Sequence, residues 1–361
     1  MSLETSPAVL DRPGTVRQES AFDAARILPF LRARIAGLPS GPVELTQFEG
    51  GSSNLTYQLR VGDTELILRR PPAGTKAATA HDMGREFRVL EKLSPHFPCP
   101  RPLAYCEDES LIGSTFYVME KIKGIIVRRD LPPGLHYTPE EARRLAFNLL
   151  DTLVKLHTLD YRAIGLGDLG KPAGYVGRQV KGWCERMEKA RTEETPPCEA
   201  LAAWFRSRQP ADSARPGIIH NDYRLDNAVL SPADRLTIIG VLDWEMATIG
   251  DPLMDFGGVL AYWIQPDDAP AADARRVQPC NLPGMPRREE MARYYGEKSG
   301  LDTSRMDFYY AFNLFRLAVI MQQLYYRYKF GQTSVPRFAL FPGFIRELIA
   351  SAEAVAEQSK L

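Results

Sequence analysis

Cysteine is scarce and unpatterned. Five occur in 361 residues, at Cys99, Cys106, Cys184, Cys198 and Cys280, and no two form a CxxC pair. The odd count and irregular spacing offer neither a disulfide framework nor a zinc site, so reduced thiols in a cytoplasmic protein are expected. An excess of one charge is also missing. Lys+Arg and Asp+Glu each total 45, for a formal net charge of zero. Nucleic-acid binders ordinarily carry a basic excess, so no nucleic-acid partner is expected, although a local patch stays open. No apolar run approaches the ~20 residues that span a bilayer. Arg12 and Arg17 are followed by no apolar stretch of the kind a signal peptide has, so no membrane association is expected. There is no internal repeat.

What is present is ordinary globular composition, 44% apolar and 25% charged. The length is too great for one small core and fits two lobes. Residues 1–20, with Pro7, Pro13 and Gly14, read as a flexible tail. A β-rich first lobe is expected over 21–123. Helical spacing covers Asp23 to Ile35, strands 43–48 and 55–61 flank the turn Glu49-Gly50-Gly51-Ser52-Ser53-Asn54, and a third strand runs from Glu65 to Arg69. Asp82 to Leu93 has a helical apolar face, and strands follow near 102–107 and 115–120. A mainly helical second lobe is expected over 124–361. Thr138-Pro139-Glu140-Glu141 is a helix start with a capping box, and leucines at helical spacing carry it to His157. Residues 265–288 read as a loop, and Asp307 to Phe330 as one long amphipathic helix.

The chemistry concentrates after residue 217. Ile218-Ile219 delivers the polar cluster His220-Asn221-Asp222-Tyr223-Arg224-Leu225-Asp226-Asn227, and a second apolar strand ends in Leu242-Asp243-Trp244-Glu245. Polar groups at the ends of apolar strands are site candidates. Phosphoryl transfer needs one carboxylate to take or orient a hydroxyl proton. It also needs a carboxylate and an amide oxygen to hold magnesium, a hard cation. His-x-Asp, Asn five residues after the Asp, and then a strand ending in Asp is the order of a kinase catalytic loop and metal site.

On these residues, with Gly250-Asp251-Pro252-Leu253-Met254-Asp255, Phe116-Tyr117-Val118-Met119-Glu120 and Arg85-Glu86-Phe87-Arg88-Val89-Leu90, the chain resembles the aminoglycoside phosphotransferase/choline kinase superfamily. Within it, the chain is most similar to the kinase-like domain associated with acyl-CoA dehydrogenases. The resemblance runs from about Phe22 to about Gly331. It implies an α+β, protein-kinase-like two-lobed fold and ATP and Mg²⁺ as cofactors. Asp222 is then the catalytic base or hydroxyl-orienting group, Arg224 a γ-phosphate contact, and Asn227 and Asp243 the magnesium ligands. Glu245 joins the metal site directly or through water. Arg224 and Glu245 could equally be local ion-pair residues, and His220 is expected to prop the loop.

The turn Gly50, Gly51, Ser52, Ser53 and Asn54 is a plausible phosphate cover, though such turns are also common hairpin chemistry. Arg69 stands where kinases place a Lys, with Glu86 as its partner; the fork is bulkier than an ammonium but can hold phosphate and carboxylate together. Lys76 is a secondary candidate. Glu120 and Ile122 are expected to offer backbone groups to an adenine edge. Asp251 and Asp255 are expected to brace the loop and start a helix. The acceptor is a small molecule. Asn313, Arg316, Gln323, Tyr326, Arg327 and Lys329, with Arg275, Arg276, Arg287 and Arg288, make its side mixed to basic and favour a neutral or anionic compound such as a hydroxyacyl-CoA. An aminoglycoside or amino-alcohol kinase, and a pseudokinase nucleotide-binding module, are the alternatives. Oligomeric state is not legible.

Overall fold

The computed structural model describes residues 11–48, 54–72 and 82–361. Its first part is a five-stranded antiparallel sheet in the order β1-β2-β3-β5-β4. The strands are β1 (Val43–Gln47), β2 (Leu55–Val61), β3 (Thr64–Arg70), β4 (Pro102–Cys106) and β5 (Phe116–Glu120). Strand side chains alternate between faces. Tyr57, Leu59, Leu66, Leu68, Phe116 and Val118 therefore share one buried face with Ala24, Ile27 and Leu31. Those last three belong to a 3-10 turn capped by Asp23 and to α1 (Leu28–Arg34), so the helical spacing read over 23–35 resolves into two short pieces. On the opposite face Ile67, Tyr117 and Met119 join the main core. The alternation separates two adjacent arginines. Arg69 turns toward the second lobe, whereas Arg70 is buried in the first and donates to the carbonyls of Ile112 and Ser20.

That last bond bears on the N-terminus. Residues 14–20 are not the free tail expected: Gly14 pairs with Gln47 through two backbone bonds, the Arg17 N–H donates to Gln47 Oε1, and Ser20 is buried against Arg70. The signal is long-range pairing, which composition does not report.

α2 (Met83–Leu93) lies between β3 and β4, N-capped by Asp82. Past β5 the chain turns at Gly124, where a Cβ would stand 2.6 Å from the Leu230 carbonyl. Only glycine allows this approach, and Ile125 then exchanges two backbone bonds with Leu230. The remainder is mainly helical. α3 (Pro139–Thr158) begins with the expected Thr138/Glu141 capping box. α4 (Tyr175–Lys189) and α5 (Glu199–Ser207) follow. Two short ladders carry the site: β6 (Gly217–Ile219) with β9 (Thr248–Gly250), and β7 (Ala228–Leu230) with β8 (Ile238–Val241). α6 (Pro252–Tyr262) is N-capped by Asp251, as expected, and Tyr309 also bonds that carboxylate.

The stretch read as a loop, 265–288, contains α7 (Pro270–Ala274) and is anchored by buried Gln278, which accepts from the Leu225 N–H. α8 (Arg288–Ser299), the long α9 (Met306–Lys329) and α10 (Phe341–Gln358) complete the fold. α9 is buried along most of its length by Phe308, Phe312 and Phe315. Among the described residues no helix is long and apolar enough to cross a membrane.

Candidate active site

The catalytic-loop segment is held from below by one carboxylate. Asp255, near the start of α6, accepts from the His220 N–H at 2.7 Å through Oδ2 and from the Asn221 N–H at 2.7 Å through Oδ1. His157 Nε2 reaches the same Oδ2 at 3.1 Å, and its Nδ1 lies 2.6 Å from the Tyr295 hydroxyl. Burial alone would raise the Asp255 carboxyl, but these donors hold it below its ordinary value. Asn221 is thereby fixed at φ 65°, a left-handed geometry that asparagine tolerates. His220 is a prop, as expected. Its Nδ1 accepts from the Asp222 N–H at 3.2 Å, which leaves Nε2–H to donate to the Leu242 carbonyl at 2.9 Å. One buried imidazole thus ties the loop carrying Asp222 to the strand end carrying Asp243.

Asp222, Asn227 and Asp243 converge. Asn227 Nδ2 donates to the Asp222 carbonyl at 2.9 Å and to Asp222 Oδ2 at 3.1 Å, while the Leu242 N–H donates to the Asn227 carbonyl at 2.8 Å. All three residues line one interlobe cavity of about 810 Å³, together with Arg69, Arg224, Glu120 and Ile122. Asp243 adopts φ 69°, which turns its carboxylate at the end of β8. Arg224 is ion-paired to Asp222, bonds Asp226 at 2.8 Å and lies 4.5 Å from the centroid of the Tyr262 ring. Burial raises the Asp222 carboxyl above its ordinary value, with Arg224 opposing the shift.

Arg69 organises the other wall. Nη1 donates to Glu86 Oε1 at 2.5 Å and Nη2 to Asp243 Oδ1 at 2.9 Å, with Glu245 Oε2 3.7 Å away. Burial would raise the Asp243 carboxyl, but the guanidinium outweighs it and holds the group below its usual range. Glu86 is buried behind Arg69 and also accepts from the Trp244 N–H, so it positions Arg69 instead of facing the cavity. Glu245 is likewise off the cavity wall, bonded by Asn54 Nδ2 at 2.6 Å. Gly50, Gly51, Ser52, Ser53 and Lys76 lie outside the described residues. The Glu120 N–H donates to the Arg101 carbonyl, and among the described residues no backbone carbonyl accepts from the Ile122 N–H.

The donor set fits magnesium. Asn227 uses its amide nitrogen on Asp222, leaving Oδ1, and Asp243 keeps Oδ2 beside its Arg69 bond. Among the described residues no group of three His, Cys, Asp or Glu could cage a metal. Magnesium characteristically takes one or two protein oxygens and completes its shell with substrate phosphates and water.

The acceptor candidates fare differently. Arg275 pairs with Glu347, Arg276 with Asp273 and Asp130, Arg287 with Asp267 and Arg288 with Asp268. The basic character read from them is therefore neutralised locally. Asn313 is buried and donates to the Met254 and Tyr309 carbonyls, and Lys329 pairs with Glu194. Sequence reasoning missed Asp11, Arg12 and Pro13, which line the same cavity, where Asp11 pairs with Arg128 at 2.9 Å. It also missed the His157–Asp255–Tyr295 chain, whose one trace in the sequence is a histidine closing a leucine run.

Known proteins resemble this chain in fold and sequence. A Ralstonia eutropha protein, described from its crystal structure as a candidate aminoglycoside phosphotransferase, superposes with a TM-score of 0.78 at 30% identity, over 94% of this chain and all of that one. Choline kinase from Cryptosporidium parvum matches with a TM-score of 0.60 at 12% identity, over 93% of this chain and 96% of that one, a likeness of fold. Mouse acyl-CoA dehydrogenase family member 10 is 37% identical over 333 residues, which are 91% of this chain and 31% of that protein. Human acyl-CoA dehydrogenase family member 11 is 32% identical over 339 residues, 92% of this chain and 43% of that protein. The chain thus spans less than half the length of these two relatives. The two-lobed kinase-like fold is shared with the solved structures, and the family model for phosphotransferase enzymes (APH) matches residues 44–291: the chain belongs to that phosphotransferase family.

Proposed function

We propose that the chain transfers the γ-phosphate of ATP, with magnesium, to a hydroxyl of a small molecule. The observation that carries this reading is the convergence of Asp222, Asn227 and Asp243 on one interlobe cavity, whose volume lies within the roughly 300–1,000 Å³ common for small-molecule sites. Glu120 and Ile122 would take the adenine edge. Asp222 would orient the acceptor hydroxyl for in-line attack and receive its proton, a task its raised basicity favours. Arg224, adjacent to Asp222 and in the same cavity, would meet the transferred phosphoryl group. Asn227 and Asp243 would hold magnesium, which supplies neutralisation of the charge on the β- and γ-phosphates. No covalent phosphoenzyme is required.

For the acceptor we propose a hydroxyacyl-CoA. Support comes from relatives named as acyl-CoA dehydrogenase family members, and no longer from Arg275, Arg276, Arg287 and Arg288. One observation favours a second reading, a nucleotide-binding module without turnover: Arg69 already occupies an oxygen of Asp243. An ATP-consumption screen against hydroxyacyl-CoAs, aminoglycosides and amino alcohols, with Asp222→Asn as control, separates the two. Acceptor-dependent turnover lost in Asp222→Asn supports the kinase. Mg-ATP binding without turnover of any acceptor supports the module.

A further inference from the structure

Four arginines are buried among the described residues, Arg69, Arg70, Arg276 and Arg316. Arg69 and Arg276 each pair with at least one carboxylate. Arg70 does not, but it is saturated locally by the Ser20 and Ile112 carbonyls and the Tyr57 hydroxyl, with Phe22 against its guanidinium. Arg316 is the other exception. It is 9% exposed and forms no ion pair with any described residue. Its hydrogen bonds are to the Asn221 carbonyl at 3.0 Å and, at 3.4 Å, to Asn313 Oδ1, and the Trp183 ring centroid lies 5.4 Å away. A guanidinium has five N–H donors. Arg316 Nε forms no hydrogen bond and is not sealed from solvent.

Position makes this arginine relevant to catalysis. It grips the residue immediately before Asp222, and consecutive Cα atoms are only about 3.8 Å apart. Arg316 is also absent from the residues lining the cavity assigned to the nucleotide. A buried cation without a counter-charge is costly to hold, and an arriving anion removes that cost.

Resting on the kinase reading above, we propose that Arg316 is an anion-binding residue of the acceptor site, so that the acceptor is a hydroxyl compound bearing a carboxylate or phosphate group. A charge-assisted, forked contact would anchor that group while Asp222 addresses the hydroxyl. Polycationic and quaternary-ammonium acceptors are disfavoured by the same charge.

Isothermal titration of the full chain with 3-hydroxybutyrate, 3-hydroxybutyryl-CoA and the uncharged thioester 3-hydroxybutyryl-pantetheine tests this in wild type, Arg316→Gln and Arg316→Lys. At least one anionic probe is expected to bind wild type about tenfold or more tightly than the uncharged thioester. Arg316→Gln erases the preference and Arg316→Lys keeps part of it. A preference for the free acid identifies a carboxylate site, and one confined to the CoA ester identifies a phosphate site. Equal binding of charged and uncharged probes by wild type, absence of binding by both anionic probes, or a preference that survives in Arg316→Gln overturns the proposal. The wild-type comparison stands even if a variant does not fold. Thermal stabilisation by Mg-ATP is read separately: its absence in wild type counts against the kinase reading, and its presence in Arg316→Gln shows an intact fold.

Discussion

Arg69 Nη2 donates to Asp243 Oδ1 across 2.9 Å and joins residues 174 positions apart. The same guanidinium holds Glu86, so a single cation connects the helix behind the sheet, the sheet itself and the strand end assigned to magnesium. Arginine suits this bridging because its fork addresses two carboxylates at once, which an ammonium does with less geometric control. A metal–nucleotide complex entering the cavity would have to share Asp243 with Arg69.

Asp243→Ala is expected to abolish the stabilisation that Mg-ATP confers. Ligand binding to the folded state raises the melting temperature by mass action, so the comparison is the thermal shift with ATP in the presence and absence of magnesium. A shift equal to that of wild type would remove Asp243 from the metal site.

Arg69→Ala strands the buried Glu86 carboxylate and leaves Asp243 and Glu245 facing each other without their shared cation. Breaking a buried pair from one side costs about 3–5 kcal/mol. Urea unfolding is the measurement, and Arg69→Lys, which keeps the charge, is expected to lose less. A loss below about 1 kcal/mol, typical of exposed pairs, would show that the bridge is not structural.

The pH dependence of turnover follows from Asp222. Its carboxyl is pushed up by burial, with Arg224 opposing, and its basic form is the one that accepts a proton. The acid limb of the kcat/KM profile, which reports the free enzyme, is therefore expected to have its midpoint above the ordinary aspartate value of about 3.9. Asp222→Asn should remove that limb and lower kcat by about 10²–10⁴-fold. A limb at or below the ordinary value would mean that another group reports the titration.

Asp255→Asn keeps shape but replaces one acceptor oxygen by an amide, although Oδ1 and Oδ2 both receive backbone N–H donors. At least one buried donor loses its partner, a cost of about 1–3 kcal/mol. The wild-type carboxyl lies below its ordinary value, so its stabilising contribution is full above the unfolded value, about 3.9, and is lost as pH falls through the lower folded value. Melting temperature measured from neutral pH downward should fall more gently below about pH 4 in the variant than in wild type. Parallel profiles would place the acid sensitivity elsewhere.

The segment proposed to be catalytic was legible because its spacing is local. Asp222 and Asn227 are five positions apart in one loop, Asp243 ends an apolar strand, and Thr138 and Glu141 cap a helix within four residues. Arg69 and Glu86 were legible by their place on a strand and the following helix. The arginines of 275–288 were misread as a basic surface because their partners, Glu347 among them, come from distant segments. The N-terminal residues escaped notice for the same reason, since Gly14 pairs with Gln47 across 33 positions of chain.

Residue types and short spacings in the sequence determined which side chains can bind a metal, orient a hydroxyl or cap a helix. Only the tertiary structure decided which charges remain to act on a ligand. Long polar side chains reach several ångströms and pair with whatever the fold brings near, so neutralisation is a property of contacts between distant segments. Arg275 and Arg316 look alike along the chain. Packing gives the first a carboxylate and leaves the second with carbonyl and amide oxygens beside Asp222.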